Sequence, residues 1–164
     1  AVLRVGVVAD THDLVRPELI EALAGVDRLL HAGDLCSAET LEALAAIAPV
    51  TAVRGNNDRG PWADALPEAC TAELEDLRVW LCHDRADLTR LPPPPGTHLI
   101  VVGHSHRPLE ALHDGIPLLN PGSPGRRRFS LPVACARLAV EGDRFSVERI
   151  ELSMAPPRRR QPRA

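Results

Sequence analysis

Aspartate, histidine and asparagine recur in this sequence just past the ends of short apolar runs, as Asp10-x-His12, Gly33-Asp34, Gly55-Asn56-Asn57-Asp58, His83 and Gly103-His104-Ser105-His106. Asp10 and His12 lie two apart, a spacing that turns both side chains to one side of an extended backbone. Asp10, Asp34 and Asp58 supply carboxylates, Asn56 an amide, and His12, His83, His104 and His106 imidazoles. Gathered in one place without counter-charge, the carboxylates would repel one another and lose hydration. Divalent cations remove that cost. Oxygen and nitrogen donors without thiolate suit Mn, Fe, Co, Ni or Zn. Two such ions roughly 3.5–4 Å apart can share a carboxylate and a hydroxide, clamp a phosphoryl group and lower the pKa of an attacking water.

Strands must present these residues together. Apolar, β-branched runs predict strands over 2–9, 26–31 and 50–53, alternating with helices over 17–24 and 37–48. Pro17 suits a first helical turn, Gly25 a stop, Ser37 an N-cap, and Pro49 ends the second helix. This alternation implies parallel strands joined by right-handed crossovers. The second half reads as strands over 69–74, 78–82 and 98–102. Two hairpins follow, 109–119 around Asp114-Gly115 and 133–152 around Glu141-Gly142-Asp143. A parallel half and a hairpin-rich half imply two stacked sheets with helices outside. In open α/β sheets, loops at the carboxyl ends of neighbouring strands meet in one crevice, which is where the polar series falls.

The 164 residues suit one domain, expected over 1–154, followed by a Pro- and Arg-rich tail over 155–164. A net charge of −3 argues against a protein that coats nucleic acid. No apolar run approaches the roughly 20 residues of a bilayer span, and residues 2–8, interrupted by Arg4, are too short for a signal segment. The expectation is a soluble, cytoplasmic protein with no membrane contact. Cys36, Cys70, Cys82 and Cys135 form no CxxC pair and read as buried reduced thiols.

The ordered series Asp10-x-His12, Gly33-Asp34, Gly55-Asn56-x-Asp58, His83, Gly103-His104-x-His106 resembles that of the calcineurin-like metallophosphoesterase superfamily, over roughly residues 2–150. The short length and Asn120-Pro121-Gly122-Ser123 resemble its small YfcE-type phosphodiesterase branch. The resemblance implies an α/β fold, a four-layer αββα sandwich of two mixed β-sheets flanked by helices. It implies two divalent ions, manganese first and Ni, Co, Fe or Zn as alternatives. Asp10, His12 and His106 would hold the first ion, Asn56, His83 and His104 the second, and Asp34 would bridge them. The implied reaction is in-line attack of a metal-bridging hydroxide on a small or nucleotide-like phosphoester. A Vps29-like protein-interaction scaffold with little catalytic activity is the alternative, but a pure scaffold has no need of the full ligand set kept here. No stable nucleic-acid binding is expected, because the superfamily's larger nucleases carry DNA-contacting domains for which 164 residues leave no room. Exposed sheet edges could support a homo-oligomer.

The chain departs from the pattern in two places. Asn57 stands where many relatives carry the histidine that protonates the leaving group. An amide can hydrogen-bond an alkoxide but cannot give it a proton, and general acid catalysis is typically worth about 10²–10⁴-fold. Diesters, or esters with acidic leaving groups, are the expected substrates. Asp84 replaces the usual glycine and reads as a solvated turn residue, a place near the second ion being the alternative. Asn57, Asp58 and Arg54 complete the candidate catalytic set. Asp58 either orients Asn57 or caps the loop, and Arg54 either meets substrate phosphate or pairs with an acid such as Asp58. His31 is a partner of a ligand or a strand-end histidine, and Trp62 a pocket wall or an anchor. His98 and His113 read as structural or exposed, and Arg126-Arg127-Arg128 as a solvated loop rather than a phosphate-attracting rim.

Overall fold

The computed structural model describes residues 1–128 and 130–153, so the expected tail lies outside the described residues. The chain begins β1 (Leu3–Val8), α1 (Pro17–Ala22), β2 (Arg28–His31), α2 (Ala38–Ala45), β3 (Val50–Ala52) and α3 (Pro61–Asp64). β1 pairs in parallel with β2, and β2 with β3, as the alternation requires. Pro17 opens α1, whose lost first-turn N–H costs nothing there, and the Ser37 hydroxyl caps α2 by accepting from the Thr40 N–H. The four-residue α3 is too short to leave a periodic signal and was not foreseen.

β4 (Ala69–Leu74), β5 (Leu77–Cys82), β6 (Leu99–Val101), β7 (Leu109–His113) and β8 (Ile116–Asn120) form the second sheet, in the order β4-β5-β6-β8-β7. β5, β6 and β8 run parallel, while β4 and β7 are antiparallel edges closing tight hairpins. Asp114 and Gly115 both take positive φ, 49° and 79°, matching the twist that such a hairpin demands.

β9 (Ala134–Glu141) and β10 (Arg144–Glu151) do not extend this second sheet. They cross back, and β9 pairs antiparallel with β1, so the first sheet runs β10-β9-β1-β2-β3. The division into two sequence halves is therefore not the division into sheets. β1 needs cover on its open edge, and β9 supplies inward-facing Ala136, Leu138 and Val140 at the right period.

Between the sheets, Val5 and Val7 of β1 pack with Leu30, Val79, Leu81, Val101 and Leu138, all essentially without exposure. The other face of the first sheet, through Val8, Leu29 and Cys135, buries Leu19, Leu23 and Leu44 of α1, α2 and their surroundings. On the outer face of the second sheet, Cys82, Ile100 and Leu118 are covered by Leu88 of a 3₁₀ turn over Arg85–Thr89. The four layers of the αββα sandwich are thus present, the last reduced to one short turn. No described helix is long and apolar enough to cross a membrane.

Candidate metal centre

The polar series lies in loops after β1, β2, β3, β5 and β6, and three of these loops, those after β1, β2 and β6, share an unusual backbone. Asp10 and His12, Asp34 and Cys36, and His104 and His106 form three pairs, each two apart with both members at positive φ between 46° and 73°. The left-handed region costs a non-glycine residue roughly 1–2 kcal/mol and persists only where neighbours enforce it. The enforcement is visible. Asp10 N–H donates to the Gly33 carbonyl (2.9 Å), His12 N–H to Asp34 (3.0 Å) and Gly103 N–H to His83 (2.8 Å). The extended geometry expected at Asp10-x-His12 is therefore replaced by left-handed turns, which still bring the two side chains together.

Asp10 is fully buried. Its Oδ2 accepts from the His104 N–H at 2.8 Å, whereas Oδ1 has no hydrogen-bond partner among the described residues. Around that oxygen stand three imidazole Nε2 atoms, His12 and His106 at 3.7 Å and His83 at 3.9 Å. Asp34 Oδ2 reaches His83 Nε2 at 3.3 Å and His12 Nε2 at 3.6 Å, and the His12 and His106 Nε2 atoms approach to 3.1 Å. An unpartnered buried carboxylate oxygen is costly, and a cation is the group that removes the cost. Two donor clusters fit one, Asp10 with His12 and His106, and Asp10 with Asp34 and His83. Asp10 belongs to both clusters and Asp34 to the second, with its Oδ2 also 3.6 Å from His12 Nε2 of the first.

Asn56 Oδ1 accepts from His83 Nε2 at 2.9 Å, placing it beside the second cluster. His104 sits less centrally. Its ring meets His83 edge-on at 5.2 Å, and its Nε2 faces Asp84 Oδ2 at 3.6 Å. Burial pulls the His83 pKa down, but the Asp34 hydrogen bond and the Asp10 and Asp34 charges outweigh it and lift the group to about 9. Burial would raise Asp34, yet its bonds to His83 and Asn57 hold it below the usual carboxylate range. His106 is lowered, first by burial, with the Arg128 charge adding to the shift.

The remaining candidates separate by what they touch. Asn57 binds Asp34 twice, through its backbone N–H and its side-chain amide, each at 2.9 Å. Asp58 does not reach Asn57. Its carboxylate accepts the backbone N–H groups of Gly55 (2.8 Å), Asp34 (2.9 Å) and Cys36 (2.8 Å), tying two ligand loops together. Arg54 pairs with Glu68 at 3.7 Å rather than Asp58, on the wall of a cleft of ≈ 450 Å³ that also holds Asn56, Arg59, His83, Asp84 and His104. Trp62 packs on the helical side of the first sheet as an anchor. His98 accepts from the Arg78 N–H, His113 faces Asp114 on an exposed hairpin, and Arg126, Arg127 and Arg128 are exposed.

Several further residues support the site, and His31, read as a partner of a ligand or a strand-end histidine, is one of them. His31 is buried, accepts from the Gly33 N–H at 3.0 Å and meets the Thr11 hydroxyl at 3.0 Å, so it braces two ligand loops. Burial drops its pKa to about 4, fixing the neutral ring. Asn120 donates to the Gly103 carbonyl and the Ser105 hydroxyl, and Ser123 donates to the Asp10 carbonyl at 2.7 Å. Cys36, read as a buried thiol, is half-buried with Sγ 3.5 Å from His12 Nδ1, the ring nitrogen away from the cluster. Its two-residue spacing from Asp34, repeating Asp10-x-His12, was the available signal.

The profile of the calcineurin-like phosphoesterase superfamily domain matches residues 3–143. A probable metallophosphoesterase of Methanothermobacter thermautotrophicus is 35% identical over 156 residues, covering 88% of this chain and 90% of that protein. Among solved structures, Vps29 of Cryptosporidium parvum superposes with a TM-score of 0.73 at 20% identity, over 93% of this chain and 99% of its own. A structure described as a novel archaeal phosphodiesterase gives 0.72 at 20% identity, over 90% and 100%.

Proposed function

The chain belongs to the calcineurin-like phosphoesterase superfamily, and on that premise we propose that it is a dinuclear-metal phosphodiesterase of small or nucleotide-like substrates. The observation that carries this is the buried Asp10 Oδ1, unpartnered among the described residues and ringed by His12, His83 and His106 within 3.9 Å. Two divalent ions, manganese first, are assigned to Asp10, His12, Asp34, Asn56, His83, His104 and His106. Such ions supply a nucleophile from water and neutralise charge on phosphoryl oxygens.

The chain's own residues do the rest. Asp58 and His31 hold the ligand loops rigid, so that no reorganisation is needed as charge develops. Arg54 and Arg59 on the cleft wall meet the anionic substrate. Asn57, committed to Asp34 by two hydrogen bonds, offers no proton to a departing alkoxide, which favours diesters with acidic leaving groups. The archaeal phosphodiesterase of the same fold supports the diester reading.

Likeness in fold to Vps29 supports a second reading, an interaction scaffold with little catalysis. Chelator-stripped protein, assayed on bis-p-nitrophenyl phosphate and p-nitrophenyl phosphate with added Mn, Ni, Co, Zn or Mg, separates the two. Metal-dependent turnover, favouring the diester and abolished by Asp34→Asn, is the expected result. Two bound ions per chain without turnover would favour the scaffold. Failure to bind any of these metals would sink the assignment.

A further inference from the structure

The cleft beside the centre carries acids and bases in unequal partnership. Glu68 lies 2.8 Å from Arg90 and 3.7 Å from Arg54, and Asp87 lies 3.8 Å from Arg90. Asp84 has no arginine within ion-pair distance among the described residues, although it lines the same cleft. It is not merely a solvated turn residue. Its Oδ1 caps the 3₁₀ turn by accepting from the Ala86 N–H at 3.0 Å, which fixes the side chain and leaves Oδ2 facing His104 at 3.6 Å. With the side chain 33% exposed, that oxygen looks into the space a substrate must enter to reach His83 and His104.

We propose that Asp84 is a charge filter, a specificity-determining residue that admits phosphodiester monoanions and disfavours phosphomonoester dianions. The proposal rests on the phosphodiesterase reading and deepens it by naming the substrate's charge class. A dianion feels twice the repulsion that a monoanion feels from the same carboxylate. At a separation of roughly 6 Å and a partly screened dielectric, one added unit charge changes relative affinity about tenfold. The effect differs in kind from that of Asn57. Asp84 acts on binding, whereas a missing proton donor acts on the chemical step. Arg54, Arg59 and Arg90 supply the attraction any anion needs, and Glu68 and Asp87 already offset part of it, so the carboxylate without an arginine tips the balance.

The test is Asp84→Asn, which removes the charge and keeps an oxygen for the Ala86 cap, with Asp84→Glu as the variant that retains charge. Sulfate, a dianion that is never hydrolysed, and dimethyl phosphate, a monoanion, are titrated into manganese-loaded protein. KM is measured in parallel for p-nitrophenyl phosphate and its bis ester. In Asp84→Asn, sulfate affinity should rise about tenfold relative to dimethyl phosphate, and the monoester KM should fall relative to the diester KM. Asp84→Glu should keep the wild-type preference. Equal changes for both anions, or none, would overturn the proposal. So would a tenfold loss of manganese affinity, which would make Asp84 a ligand instead. The anion titrations need no turnover. If wild-type protein hydrolyses neither ester, the phosphodiesterase reading fails while the filter is still judged on its own.

Discussion

Asp58 shows how one side chain can matter to a site without facing substrate. Its carboxylate gathers three backbone N–H groups from two loops, those of Gly55, Asp34 and Cys36. Asp58→Ala leaves those donors unpaired in a buried place and should cost about 2–4 kcal/mol, read as a lower denaturation midpoint in urea. Cys36 acts on a single ligand. Its sulfur meets His12 Nδ1 and so fixes which ring nitrogen turns toward the cluster. Cys36→Ala should weaken metal binding about tenfold with little loss of stability, measurable by competition against a chromogenic chelator. The seven proposed ligands could be read from the sequence because each follows an apolar run. Asp58 was legible as a cap of its own loop, but its reach to Asp34 and Cys36, and the parts played by Cys36, Asn120 and Ser123, could not be read that way. Their roles depend on which carbonyl or amide a distant loop presents, and left-handed turns set that, not spacing.

At the scale of elements, the strand ends carry the design. The loop after β3 passes so close to the loop after β2 that a Cβ on Gly55 would clash with Asp34 Oδ1 and the Asp34 backbone nitrogen. Gly55→Ala must therefore displace Asp34, the carboxylate that stands with Asp10 and His83 in the second cluster. The expected result is loss of tight metal binding by calorimetry, with about 1–3 kcal/mol of stability lost as well. Strands, helix caps and hairpin turns were legible because period and turn chemistry are local. The pairing of β9 with β1 was not, since an alternating pattern names the buried face of a strand but not its neighbour. The 3₁₀ turn that positions Asp84 was missed because five residues leave no period to read.

For the molecule as a whole, two buried histidines set opposite pH limbs. His31 has its folded pKa lowered from 6.5 to about 4 by burial, so the unfolded chain takes up its proton first on acidification. Its contribution, about 3 kcal/mol in full, is present above pH 6.5 and is lost as pH falls toward 4. His83 has its folded pKa raised to about 9, so its contribution is present below pH 6.5 and fades as pH rises through 9. Chelator-treated protein should therefore show thermal stability peaking near pH 6.5, and His31→Gln should flatten the acid limb. Saturating metal should add most on the alkaline side, where the ring of His83, a proposed ligand, is already neutral.

The return of the last hairpin to β1 also sets a timetable. Asp10 is the first ligand position to leave a ribosome, yet β1 lacks a neighbour on one edge until β9 is made, and the Asp10 carbonyl waits for Ser123. At about 5–20 residues per second, that delay is on the order of ten seconds. Throughout it, the nascent chain holds a half-built set of carboxylates and imidazoles. On the proposed metal reading, cation capture is therefore expected to await the pairing of β9 with β1 rather than the making of Asp10.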